Sequence, residues 1–272
     1  MTIYDKFSMA GKTALVTGGA GLLGKEFCRT LAEAGATVYL ADYKMEIIEK
    51  ALPVLQEVSA SIRPVVINVV DPVSIQQVVD QIVSETGRLD VVVNSAALDP
   101  KVDPEHPQVM NNAFEDYPLN FWQDGLSVNL TGPFLVSQAA VRQMVKQGSG
   151  SIINLCSTYG LVGPDQRIYE GVGKQLTYKP VFYSVTKAGI LGFTRYLAAY
   201  YANAKIRSNA LTPGGVENNN DEQFVKNYSS HAILGRMAHR DEMSGALLFL
   251  ASDASSYMTG SNLVVDGGWT AW

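Results

Sequence analysis

Tyr183 and Lys187 stand four positions apart in the run Tyr183-Ser-Val-Thr-Lys187. In a helix that spacing puts both side chains on one face. A free phenol titrates near ~10, too high to exchange a proton readily at neutral pH, and a neighbouring ammonium stabilises its phenolate. The pair is therefore a candidate general acid or base. An isolated Tyr-x-x-x-Lys is more often an incidental surface pair, so its company decides. Ser157 follows the apolar run Ile152–Cys156 and offers a hydroxyl to a substrate oxygen as charge develops there. The competing reading of Ser157 is a turn cap. Asn129 falls inside a helical stretch, where asparagine is a poor former and needs a reason, a kink or a buried water being the bland ones.

A second group of residues suits a dinucleotide. Thr17-Gly-Gly-Ala-Gly-Leu-Leu-Gly24 joins the apolar run Ala14–Thr17 to a helical pattern from Leu22 to Ala34. Gly18, Gly21 and Gly24 allow a tight turn and let a pyrophosphate approach the first helical amides. A purely structural turn is the alternative, and the strand, turn and helix context argues against it. Asp42 ends the next apolar run, where its carboxylate can accept adenosine ribose hydroxyls and repel a 2′-phosphate. NAD is therefore favoured over NADP, with Lys44 close enough to soften the preference.

These residues need elements to hold them. Strands are expected at 14–17, 37–41, 64–68, 89–94, 151–156, 206–211 and 262–265, and helices at 22–34, 45–58, 72–86, 121–146, 182–202 and 241–252. Alternation of this kind implies right-handed crossovers between parallel strands. The expected fold class is α/β: one Rossmann-like, doubly wound parallel sheet flanked by helices, forming a single domain over 1–272. Pro100, Pro104, Pro107 and Pro118 make the stretch after Ala97 a long loop or broken helix.

Together these landmarks resemble the short-chain dehydrogenase/reductase superfamily, over nearly the whole chain. The likeness rests on Gly11–Gly18, Asn94–Ala97, Asn129, Ser157, Tyr183 with Lys187, Asn209–Gly214 and Val264–Gly268. The resemblance implies Tyr183 as proton donor or acceptor and Ser157 as the holder of the substrate oxygen. It implies Lys187 as the group that lowers the Tyr183 pKa and binds the nicotinamide ribose, and Asn129 as support for a water-mediated proton relay. For the cofactor it implies Gly18, Gly21, Leu22, Leu23 and Gly24 at the pyrophosphate, and Asp42, Asn68 and Val69 at the adenine end. Asn94 and Ala96 would flank the ribose, with Pro213, Gly214 and Val216 near the nicotinamide. The reaction so implied interconverts a secondary alcohol and a ketone, with oxidation favoured at alkaline pH.

Three features depart from the compact branch of that superfamily. Leu22 stands where its second fingerprint glycine usually falls, and Gly21 supplies a spacing more typical of the extended, nucleotide-sugar branch. Ser95–Ala97 replaces the usual Asn-Ala-Gly ending. Ser157 and Tyr183 lie 26 positions apart, about twice the separation common in relatives. The insertion, within 159–180, brings Gln166, Arg167, Tyr169, Glu170, Lys174, Tyr178 and Lys179 to the expected substrate mouth. The stretch 98–120 adds His106, Asn111, Asn112, Asp116 and Tyr117. Polar and aromatic mouth loops suit a sugar, polyol or sugar derivative better than a fatty acyl chain. The rivals are an NADPH-dependent 3-oxoacyl (carrier protein) reductase and a dinucleotide sensor without chemistry.

Composition limits the field. A net charge of −5 with scattered Lys and Arg gives no basic stripe for nucleic acid or an anionic membrane, so a small molecule is the expected partner. Cys28 and Cys156 show no metal or disulfide spacing, and His106, His231 and His239 are dispersed, so no metal is expected. No apolar run suggests a signal or span, and cytoplasmic residence follows. Helices 121–146 and 182–202 carry apolar residues on several faces, and with the resemblance they point to a homotetramer or homodimer. Trp269 and Trp272 are candidates to cover a pocket or a subunit interface, the interface being preferred.

Overall fold

The computed structural model describes residues 2–99, 113–170 and 178–272. Pro100, Pro104, His106, Pro107, Asn111, Asn112 and Lys174 lie outside the described residues. The strands are β1 (Thr13–Thr17), β2 (Thr37–Asp42), β3 (Ile62–Val66), β4 (Val91–Asn94), β5 (Gly150–Leu155), β6 (Ile206–Pro213) and β7 (Asn262–Val265). They form one parallel sheet in the order β3-β2-β1-β4-β5-β6-β7. The order reverses between β1 and β4, which opens a crevice at their carboxyl ends.

The central strands are buried and mainly apolar because both faces of the sheet are covered. On β1, Ala14 and Val16 point into one core and Leu15 into the other; Val91 and Val93 oppose Val92 on β4 in the same way. Helices α1 (Leu22–Glu33) and α2 (Met45–Val58) cover the first face with α8 (Ser244–Ala251). Helices α3 (Pro72–Thr86) and α5 (Gly132–Gln147) cover the second. α2 buries Ile48, Ala51 and Leu55, a helical spacing, and carries Pro53 on its exposed side. α3 begins where Asp71 accepts the amide of Val73, with Pro72 in the first turn, and stops at Gly87 with φ 74°.

Expected boundaries shift in several places. β3 begins at Ile62 rather than Pro64; the proline pairs opposite Leu40 on an edge strand, where a missing amide is tolerated. The single helix expected over 121–146 is α4 (Leu119–Leu126), a π turn (Ser127–Thr131) and α5. The helix expected over 241–252 is a 3₁₀ turn (Arg240–Met243) followed by α8. Helix α6 (Val181–Tyr200) matches its expected span closely, and α7 (Glu222–Ser229) had no sequence-based expectation.

Trp269 is not at a surface. It stacks on Tyr228 at 4.2 Å between ring centroids and on His231 at 5.2 Å, closing a small third core with Tyr159, Ile168, Tyr169 and Met237. Trp272 is exposed and donates its indole N–H to the carbonyl of His231.

Candidate active site

A cleft of about 1090 Å³ runs along the carboxyl edge of the sheet. At one end Gly18 adopts φ 64°, and a Cβ there would meet the Ala96 backbone at 2.8 Å. The Thr17 hydroxyl fixes this approach by accepting the amides of Ser95 and Ala96 and donating to the carbonyl of Val93. Gly21 caps α1 without a side-chain acceptor, so the first amides of the helix are unspent, and Leu22, Leu23 and Gly24 line the cleft there. An anion is the group such an end accepts. Asp42 sits beside it, accepting the amides of Ala20 at 3.1 Å and Tyr43 at 2.8 Å while still lining the cleft. Asn68, Val69 and Ala96 complete that end, and Pro213, Gly214 and Val216 line the opposite wall. The donor set, the glycine cradle and the carboxylate fit a dinucleotide.

The residues proposed for chemistry converge further along. Ser157 is extended and caps the turn Thr158–Gly160, its Oγ accepting one long hydrogen bond from the Tyr159 amide at 3.3 Å. The cap and the functional reading coexist, because Oγ can accept the amide while its proton is offered to Tyr183, and the residue lines the cleft. Tyr183 and Lys187 project from α6 into the same space. Lys187 Nζ donates to the carbonyl of Leu155 at 2.8 Å and lies 5.7 Å from the Tyr183 ring centroid.

Burial governs the electrostatics of the pair. Burial pushes the Tyr183 phenol well above its ordinary value, Asp99 adds to the rise, and the Ser157 hydroxyl opposes it. Burial lowers Lys187 to about 8, so its own charge is expensive to hold.

Two expected site residues are placed elsewhere. Asn129 is buried, and its amide spans one residue: Oδ1 accepts the Leu98 amide at 2.7 Å and Nδ2 donates to the Leu98 carbonyl at 2.9 Å. The π turn gives this asparagine its reason, since the extra residue aims the side chain at the loop after β4. Asn94 turns into the sheet, donating to Ser137 Oγ at 3.0 Å and Asn154 Oδ1 at 2.8 Å. Through Asn154 and Thr194 it ties β4 to β5 and α6, and Ser95 to Ala97 line the cleft in its stead.

A match to the enoyl-(acyl carrier protein) reductase family model spans residues 19–270. A solved short-chain type dehydrogenase/reductase from Mycobacterium marinum superposes with a TM-score of 0.86 at 32% identity, covering 100% of both chains. The chain belongs to the short-chain dehydrogenase/reductase family. A 3-oxoacyl-(acyl-carrier-protein) reductase of Thermotoga maritima is 34% identical over 96% of this chain and 98% of its own length. A D-threitol dehydrogenase of Mycolicibacterium smegmatis is 31% identical over 99% of this chain and 97% of its own. As a member of the family the chain is an oxidoreductase that uses NAD or NADP.

The sequence alone did not single out several lining residues of this short-chain dehydrogenase/reductase. Asn218, Asn219, Asn220, Phe224, Tyr228 and Met237 also line the cleft. The signal for α7 was Asp221, which accepts the amides of Gln223 and Phe224 as a helix N-cap.

Proposed function

We propose that the chain is an NAD-dependent dehydrogenase interconverting a secondary alcohol and a ketone on a sugar, polyol or sugar derivative. The observation that carries this is one cleft with an anion-accepting glycine turn and Asp42 at one end and Ser157, Tyr183 and Lys187 at the other. Tyr183 Oη takes the substrate hydroxyl proton in oxidation and returns it in reduction, while the Ser157 hydroxyl donates to the same oxygen. Lys187 supplies positive charge beneath the phenolate, and Asn129 holds Leu98, and with it the loop beside the substrate. The nicotinamide, when bound, supplies the hydride acceptor or donor.

The substrate end supports a hydroxylated ligand. Tyr159, Tyr169 and Tyr228 combine ring faces with hydroxyls, and Asn218 to Asn220 add amides. The threitol relative is named for a polyol. The second reading, a 3-oxoacyl reductase, has the name of the Thermotoga relative in its favour. Absorbance at the reduced-nicotinamide band separates them, with NAD or NADP and a panel of polyols, sugars, sugar derivatives and acyl thioesters. Turnover of a polyol or sugar with NAD supports the first reading; turnover only of acyl thioesters with NADPH sinks it.

Asp42→Asn keeps the shape of the side chain and an oxygen for a backbone amide while removing the charge. The kcat/KM with NADP is expected to rise about tenfold relative to NAD, because the repulsion of a 2′-phosphate is gone. An unchanged ratio in steady-state kinetics would move cofactor selection away from Asp42.

The apolar side chains left exposed on α5 and α6 support a homo-oligomer paired through these helices: Phe134, Val145, Val185, Tyr196 and Tyr200. Tyr196 and Tyr200 stack at 5.8 Å as one aromatic patch. Tyr196→Glu with Tyr200→Glu is expected to yield monomers in light scattering after size exclusion; an unaltered assembly would place the interface elsewhere.

A further inference from the structure

Lys187 is not the cation closest to the Tyr183 ring. Lys179 Nζ lies 3.9 Å from the ring centroid, against 5.7 Å for Lys187, and also 5.9 Å from the centroid of Tyr159. Its side chain is only 10% exposed and forms an ion pair with Asp99. Both residues line the cleft, from the two loops that flank its mouth.

The pair is held from both sides. Gln166 accepts the Lys179 amide at 2.9 Å and donates to the Lys179 carbonyl at 3.3 Å. On the other loop, Asn129 clamps Leu98, the residue before Asp99. Backbone contacts thus fix where the ammonium and the carboxylate start, and the two meet beside the phenol.

A positive charge over an aromatic face is attracted to the ring, and the attraction grows when the ring carries the charge of a phenolate. Among the described residues, the titratable groups around Tyr183 are Lys187 on its own helix, Cys156 and Tyr159 after β5, Tyr169, and the Lys179–Asp99 pair. The Ser157 hydroxyl joins them as a hydrogen-bonding group. Asp99 is the largest charged contribution to Tyr183 and raises it; Asp99 also raises Lys187, while Lys179 lowers it. The partners of the pair therefore act in opposite directions on the same neighbourhood.

We propose that Lys179 is a positioning residue for the proton transfer, a second cation for the Tyr183 phenolate whose influence is balanced by Asp99. The inference rests on the reading of Tyr183 as the proton-exchanging group. No bond to Lys179 or Asp99 forms or breaks. In oxidation the proton passes from the substrate hydroxyl to Tyr183 Oη, and the pair sets the pH at which the phenolate is present to receive it.

The test is the pH profile of kcat for oxidation by the intact enzyme, with an alcohol found active in the panel and saturating cofactor, for wild type, D99N, K179M, K179R and Y183F. Removing the carboxylate in D99N leaves the ammonium unopposed, so the rising limb is expected about one pH unit lower. Removing the ammonium in K179M leaves the carboxylate unopposed, so the limb is expected about one unit higher. K179R, which keeps the charge, stays near wild type. A loop that served only as scaffold would lower the rate without moving the limb, or move it the same way in D99N and K179M; either result overturns the inference. D99N and K179R still decide the matter if K179M does not fold. Y183F separates the two levels: its retained turnover defeats the assignment of Tyr183, whereas an inactive Y183F with unmoved limbs in the other variants defeats the role of Lys179 alone.

Discussion

Tyr183→Phe is expected to lower kcat by about a thousandfold while leaving cofactor affinity within a few-fold of wild type. The substitution deletes one oxygen from a half-buried ring, so the packing of α6 and the ring contact with Lys179 persist. What disappears is the group assigned to exchange a proton with the substrate oxygen. Ser157 cannot replace it, because a serine hydroxyl is far too weak an acid for the task without a base of its own. Ser157→Ala removes one hydrogen bond to the reacting oxygen and is the milder change. Cofactor fluorescence titration and steady-state rates on one protein sample separate the two effects. A variant retaining a tenth of wild-type kcat would show that the proton travels by another route.

The fold was legible because its signals are local and repeated. Met45–Val58 and Pro72–Thr86 could be bounded from sequence, the second by Asp71, Pro72 and Gly87 acting as start and stop. The break at Asn129 was read only as one of two bland alternatives, a kink, since a π turn leaves helical periodicity nearly intact and differs by one residue. α7 was missed because it is eight residues long and its apolar side chains Phe224, Val225 and Tyr228 pack on loops rather than the sheet. Trp269 was placed at a subunit interface in preference to a pocket, because only the positions of Tyr228 and His231 in the fold give it partners within the chain.

The site was legible where side-chain chemistry and motif position coincide. Gly18, Gly24, Asp42, Ser157, Tyr183 and Lys187 all reach the cleft. Asn94 and Asn129 show the limit: each stands at the matching position, yet Asn94 Nδ2 and both ends of the Asn129 amide are engaged by protein groups, and pairing cannot be read from residue type. Lys179 shows the converse. It was visible as a polar residue in an insertion, but its contact with Tyr183 depends on Gln166 and Asp99, the latter 80 positions away.

Gly24→Ala is the second substitution with a large expected effect, and its cause is steric. A Cβ at Gly24 would lie 2.0 Å from the Gly18 carbonyl oxygen and 2.8 Å from both the Gly18 carbonyl carbon and Gly19 Cα. All three are backbone atoms. The turn cannot retreat, because Gly18 already faces the Ala96 backbone and the Gly19 amide is tied to the carbonyl of Ala41 at 2.9 Å. Either α1 or the turn must shift by an ångström or so, and a displacement of that size at a seat built for one anion costs about a hundredfold in function. NAD affinity by calorimetry is expected to fall by at least about that factor, with a lower melting temperature. Gly245→Ala supplies the contrast. It lies near the start of α8 with nothing within 4 Å of the added carbon, so it should raise stability, by up to about 1 kcal/mol, and leave NAD affinity alone. If the Gly24→Ala variant bound NAD as tightly as wild type, the glycine turn would not be the anion seat, and the assignment of this end of the cleft to a dinucleotide would lose its main support.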